Sequence, residues 1–181
     1  MKPSAIRLCR ILSRLFLAGA VLAPAGAVLL FWNLEWTLSA LSGQVFSGLA
    51  DSLPINGPIT WATKGLGLAA VALPTGLTSV LLWKLSRLFQ SCGQGYIFTQ
   101  DNVRRIRQVG MLLLVREAFM PVEGALLSVI LTMHNPPGER MLSISLSSAN
   151  LTAVVTALTI IVAAHVLDQA RELHEEARLT I

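Results

Sequence analysis

Three ionisable residues interrupt an apolar stretch of this chain and are its strongest candidates for chemistry. Arg116, Glu117 and Glu123 fall inside the run from about Val109 to Met133. An isolated charge at the centre of a bilayer costs at least ~2.5 kcal/mol, so such side chains must face a partner, water or the inside of a protein. Arg116 and Glu123 are seven positions apart and share a helix face, separated by about 10 Å along the axis. Helical side chains lean toward the helix N-terminus, so Arg116 leans away from Glu123 and a direct pair between them is not expected. Their expected partners are a stripe of hydroxyls (Ser145, Ser148, Thr152, Thr156 and Thr159), water, or a second protein. Three readings stand side by side: an internal polar lock, a docking face for another membrane protein, and a proton or ion relay.

Other chemistries find little support. His165 has Asp168 and Glu172 on its face at plus three and plus seven, but His174 points to the opposite side, and no metal site is expected. His134 beside Asn135 and Pro136 reads as a turn residue. Cys9 and Cys92 read as free thiols in a reducing compartment. The chain contains no G-x-S-x-G, H-E-x-x-H or P-loop motif and no paired-cysteine motif. The expectation is a protein with no catalytic residues, no metal and no cofactor.

The elements that must position these residues follow from composition. Of 181 residues, 54% are apolar and only 13% are charged, against about 25% charged in an average soluble domain. That leaves too little polar surface to cover a soluble globule. Twenty uncharged residues separate Arg14 from Glu35, and nineteen separate Lys64 from Lys84. A helix needs about 20 such residues to cross the hydrocarbon core. Two further runs bring the expected fold to an all-α integral membrane bundle of four helices, spanning about 12–34, 64–83, 108–133 and 142–167. A cleavable signal ending at Ala25-Gly26-Ala27 is the rival for the first run, but the apolar residues continue to Trp32, which favours a retained helix.

Charge sets the orientation. Eleven of the fourteen Lys and Arg residues lie in the N-terminal arm, the segment 84–107 and the tail 168–181, whereas 33–63 has none. By the positive-inside rule both termini are cytoplasmic. The same clustering directs the basic residues to lipid headgroups, not to nucleic acid, despite the excess of four positive charges. Trp32, Trp36 and Trp61 would form an outer aromatic belt, with Trp83 on the inner side. Leu34, Leu38, Leu41, Val45 and Leu49 recur at helical spacing, predicting an outer amphipathic segment over 34–50 that either extends the first span or lies on the leaflet, closed by Pro54, Gly57 and Pro58. Gly93 and Gly95 break the chain after the second span. Thr99 stands where an N-cap belongs, with Asp101 in the first turn and Val103, Ile106 and Gly110 along one side of the next helix. In the tail, Asp168 with Arg171, Arg171 with Glu175 and Glu175 with Arg178 are at pairing distance along a helix. Small residues at Gly65, Ala69, Ala72, Gly76 and Ser79, and the hydroxyl stripe of the fourth run, predict faces turned toward other helices. Pro24, Pro74 and Pro121 predict kinks in three spans.

Two motifs add a resemblance. Gly95-Tyr96-Ile97-Phe98-Thr99 with Asn102-Val103-Arg104-Arg105-Ile106-Arg107 and Gly110, and the terminus Ala170-Arg171-Glu172-Leu173-His174-Glu175-Glu176-Ala177-Arg178-Leu179-Thr180-Ile181, resemble the bacterial domain-of-unknown-function family 2975. The resemblance implies four spans in a bacterial inner membrane over nearly the whole chain, with no established activity. It also suggests a small helix-turn-helix DNA-binding regulator as partner. The Arg116, Glu117 and Glu123 cluster departs from the family pattern. Both motifs fall on the expected cytoplasmic side. The first expectation is therefore a non-enzymatic binding or sensing module whose contact surface holds Thr99, Asn102, Arg104, Arg105, Arg107, Glu172 and Glu175. The second is a small transporter or channel component, or an accessory subunit of a membrane complex, using the charges of the third span. A homo-oligomer is compatible with either, and a transport pathway requires one or a larger complex.

Overall fold

The computed structural model describes residues 3–45, 55, 58–94, 99–144 and 148–179. They form five helices: α1 (Pro3–Trp32), α2 (Leu34–Val45), α3 (Trp61–Gly93), α4 (Gln100–Thr132) and α5 (Ser148–Leu179). Three segments are long and apolar enough to cross a membrane: Ile6–Trp32, Trp61–Gly93 and Ser148–Glu172. Helix α4 is as long as α3, 33 residues, but its apolar stretch holds the three charges Arg116, Glu117 and Glu123, and it is not among them.

The helices outrun the apolar runs. Helix α3 continues through Lys84 and Arg87 to Gly93, and α4 starts at Gln100, so most of the segment 84–107 is helix and not loop. A charged side chain does not interrupt backbone i to i−4 bonding; glycine and a capping hydroxyl do. Thr99 acts as the expected N-cap, its Oγ1 accepting the Asn102 N–H at 3.3 Å. At 33 residues, α3 and α4 are about 50 Å long, well beyond a hydrocarbon core of about 30 Å. The run from Met141 differs in the other direction. Residues 141–144 are not helical, and the described part of helix α5 runs from Ser148 to Leu179, with Ser145 outside the described residues. The Met141 N–H donates to Thr132 Oγ1 at 3.2 Å, and the Ser143 N–H to Ser128 Oγ at 3.0 Å. Side-chain acceptors on α4 thus satisfy this backbone in place of helical carbonyls. The turn before it has Pro137 and Gly138 at its centre, with the Glu139 N–H donating to the Pro136 carbonyl at 3.1 Å. Gly138 sits at φ +100°, as the second central position of a type II turn requires.

The chain divides into two compact units. One holds residues 1–21, 78–117 and 148–181. Within it α1 contacts α3, α3 contacts α4, and α4 contacts α5, each pair antiparallel. The Ser86 hydroxyl donates to the Ser13 carbonyl at 2.8 Å, and Phe16 stacks on Phe89 with ring centroids 5.5 Å apart. Lys84 Nζ donates to Gln108 Oε1 at 2.8 Å. Gly110 lets α4 approach α5 closely: a Cβ there would lie 2.6 Å from Ile161 and 3.1 Å from the Ala157 carbonyl oxygen. Ala157 and Ala164 are fully buried.

The other unit holds residues 22–77 and 118–147. Its core is Phe31, Leu34, Val71, Leu127 and Leu131. The Phe31 ring lies over Gly67, where no side chain fits. Helix α2 comes after α1 and a bend at Asn33. The Thr37 hydroxyl reaches the Leu30 carbonyl, seven residues back, at 3.0 Å. In a straight helix that carbonyl would be about 10 Å away along the axis, so α2 is not an in-line extension of the first span. Leu34 is buried and Leu38 packs against the core, while Leu41, Val45 and Leu49 have no described side chains. Trp32 and Trp61 meet edge to face at 5.7 Å, and Trp36 is exposed.

The small-residue stripes turn out otherwise than expected. Gly65, Ala69, Ala72 and Gly76 face outward on α3, as do Thr152, Thr156 and Thr159 on α5. Each of those threonines donates to a carbonyl of its own helix, within 2.8–3.0 Å. A short side chain permits close approach but does not compel it; the shape of the neighbour decides, and Phe31 and Ile161 select Gly67 and Gly110.

Burial is inverted relative to a soluble protein. Leu15, Val21, Leu29, Leu142, Leu151 and Val162 each expose more than 60% of their surface. Five of the six largest fully buried side chains are polar: Asn102, Asn135, Thr37, Thr132 and Ser128. Apolar side chains outward and bonded polar groups inward suit a lipid solvent, where an unsatisfied polar group costs several kcal/mol.

Candidate functional site

The charged candidates of α4 divide between the two units. Arg116 extends between two partners, donating from Nε to Thr78 Oγ1 of α3 at 3.2 Å and from Nη1 to Glu117 Oε1. Its neighbour in sequence is thus its ion-pair partner, and its hydroxyl comes from α3, not from the stripe on α5. The Glu117 side chain is 4% exposed and that of Arg116 is 32%. The guanidinium spans the gap between a buried carboxylate and the less buried edge of the helix. Spacing favours Glu123 as the residue on the Arg116 face; Glu123 is partly buried and belongs to the other unit. A pair at i and i+1 escapes a rule of faces because a long guanidinium can fold across its own helix.

The residues around the start of α4 have divided roles. Asn102 is 1% exposed, in the first turn behind the Thr99 cap. Arg105 turns back to the end of α3, donating from Nη1 to Ser91 Oγ at 2.8 Å and to the Arg87 carbonyl at 3.4 Å. A cation there opposes the negative end of the α3 dipole. Arg107 donates to Asp168 Oδ2 on α5 at 2.7 Å. Asp168 also faces Arg171 Nε at 3.6 Å. The expected pairing of Asp168 with Arg171 is therefore present, while the pairings of Glu175 lie outside the described residues. Asp168 is the contact residue that position in the chain does not bring forward: only the crossing of α4 over α5 joins it to Arg107. With Asp168 held by two arginines, His165, which is exposed, has lost its nearest acidic neighbour as a co-ligand. Among the described residues no group of three or more His, Cys, Asp or Glu is arranged to hold a metal ion.

Arg104 on α4 and Glu172 on α5 remain solvent-exposed, each about one turn from this contact. Gln100, Asp101, Val103, Arg104, Arg107 and Asp168 line a shallow cleft of about 380 Å³. Its walls come from the α4 start and from α5, the two regions that carry the signature motifs. His134 is exposed in the turn after α4 and meets the Thr63 hydroxyl at 3.4 Å. Cys9 and Cys92 are both unbridged.

Neither the curated proteins nor the solved structures offer a match to this chain. Over residues 24–181 it matches the family described as "Protein of unknown function (DUF2975)". That match takes in α2 to α5 and both motifs read from the sequence, and the chain belongs to this family.

Proposed function

We propose that this is a four-span membrane protein of a bacterial inner membrane, with both termini cytoplasmic, that binds a partner without catalysing a reaction. The contact face is the start of α4 together with the emerging end of α5. One observation carries this reading: the Arg107–Asp168 pair at 2.7 Å ties the basic turn of α4 to α5. Arg104 and Glu172 stand exposed beside it. A face with both signs of charge, held in register by an ion pair, suits recognition of a folded soluble partner, since exposed charges set registration more than affinity. A small DNA-binding regulator is the partner class this reading favours. The alternative, a transport component built on the α4 charges, has less support, because Arg116 is occupied by Glu117 and Thr78.

The test is affinity purification from the native membrane in mild detergent. A stoichiometric soluble partner is expected, lost on Arg104→Ala and Glu172→Ala while insertion is unchanged. Retention of the partner by both variants removes the proposed face. A homo-oligomer with no partner, together with flux in proteoliposomes that Glu123→Gln abolishes, replaces this reading with transport.

A further inference from the structure

A second feature of the first unit lies apart from that contact face. Helices α1 and α3 carry no carboxylate anywhere along their length. On α1, Arg10, Arg14 and Leu17 recur at plus four and plus seven, and on α3 Trp83, Arg87 and Gln90 do the same. These two stripes face one another across an open cleft of about 500 Å³. Its floor is the bonded pair Ser13 and Ser86.

Among the described residues none of Arg10, Arg14 and Arg87 makes an ion pair with a carboxylate. Arg87 is held in place from two sides, with its guanidinium 5.5 Å from the Trp83 ring centroid and its Nη1 donating to Gln90 at 3.4 Å. Three cations on two acid-free helices repel one another unless an anion enters from outside.

The cleft is also graded. Because α1 and α3 are antiparallel, Arg10 lies toward the Gln90 end and Leu17 toward the Trp83 end. Beyond Leu17 and Trp83 the same two helices expose Val21 and Val80. A cationic pocket thus opens directly onto an apolar track. A free anion has no use for that track; an amphiphile with an anionic head and acyl chains matches both parts. Guanidinium is the side chain best suited to a phosphate, which it can engage through two N–H donors at once. Basic pockets between membrane helices hold phosphate headgroups on these grounds.

We infer that the cleft between α1 and α3 is a binding site for an anionic phospholipid, its phosphate held by Arg10, Arg14 and Arg87 and its acyl chains lying along Leu17 and Trp83. This stands independently of the partner-binding reading and uses none of its residues.

The experiment gives the purified full-length chain equal amounts of a cardiolipin, a phosphatidylglycerol and a phosphatidylcholine of matched chains, and counts retained lipids by native mass spectrometry. The two anionic lipids are expected to be retained over the choline lipid. The double variant Arg14→Gln/Arg87→Gln is expected to weaken that retention by about thirtyfold, and Arg140→Gln, in the exposed segment after α4, to leave it unchanged. Should the double variant fail to fold, Arg10→Gln, at an exposed position, is expected to weaken it by about fivefold. Equal retention of the choline lipid overturns the inference, as does equal weakening by Arg140→Gln or undiminished retention in the cleft variants. Displacement of the lipid by inorganic phosphate at the same concentration would instead make this a site for free phosphate and overturn the lipid assignment.

Discussion

The two members of the Arg116–Glu117 pair are unequally buried, and the inequality has a mutational consequence. Glu117 is almost wholly enclosed, while Arg116 is about one-third exposed. Removing Arg116 strands a carboxylate with no counter-charge; removing both leaves an apolar site. Breaking a buried pair on one side costs on the order of 3 kcal/mol, while replacing both members with apolar side chains is often neutral. Arg116→Leu is therefore expected to lower stability to that extent in an SDS-unfolding titration, and Arg116→Leu/Glu117→Leu to recover most of the loss. A double variant as unstable as the single one would show that the two residues act separately. Arg107 and Asp168 differ, because both are partly exposed and solvent screens them. Their worth is in register, and they are expected to matter to partner binding more than to stability.

At the level of elements, the α4–α5 crossing depends on a single missing side chain. Any Cβ at Gly110 meets Ile161 and the Ala157 backbone, and backbone cannot step aside as a flexible side chain can. Gly110→Val is expected to destabilise by about 1–3 kcal/mol, the usual cost of overpacking. It should also separate Arg107 from Asp168, since Arg107 lies less than one turn before Gly110 on the same helix. A double-cysteine variant, Arg107→Cys/Asp168→Cys, reports on this directly: efficient cross-linking in the native background and weak cross-linking with Gly110→Val. Equal cross-linking in both backgrounds would place the determinant of the crossing elsewhere. Gly93 and the Thr99 cap are legible as helix punctuation because they act through local backbone chemistry. Gly67 is not distinguishable in the sequence from Gly65 and Gly76, and the motif that marks Gly110 does not say what it meets, because their importance comes from Phe31 and Ile161 on other helices.

For the molecule as a whole, the proposed four spans with both termini on one side predict a simple labelling pattern. In a chain with Cys9 and Cys92 replaced by Ser, Ser4→Cys and Gln94→Cys should be shielded from an impermeant maleimide in intact cells. Trp36→Cys and His134→Cys should be labelled. Labelling at Gln94, or shielding at His134, would contradict four spans with this orientation. Contiguous residues are enough to fix that this is a helical, membrane-type chain, that one helix ends around Gly93 and the next begins around Thr99, and to which family it belongs. Those properties depend on composition, on charge spacing along one dimension and on local capping, all of which are written in contiguous residues. It takes the folded chain to show that Arg116 pairs with Glu117, that Arg107 meets Asp168, that the small-residue stripes face outward, and that Arg10, Arg14 and Arg87 share one cleft. In an apolar solvent the hydrophobic pattern no longer distinguishes inside from outside. Which polar groups meet is then settled by helix crossings, and these depend on side chains far apart in the chain.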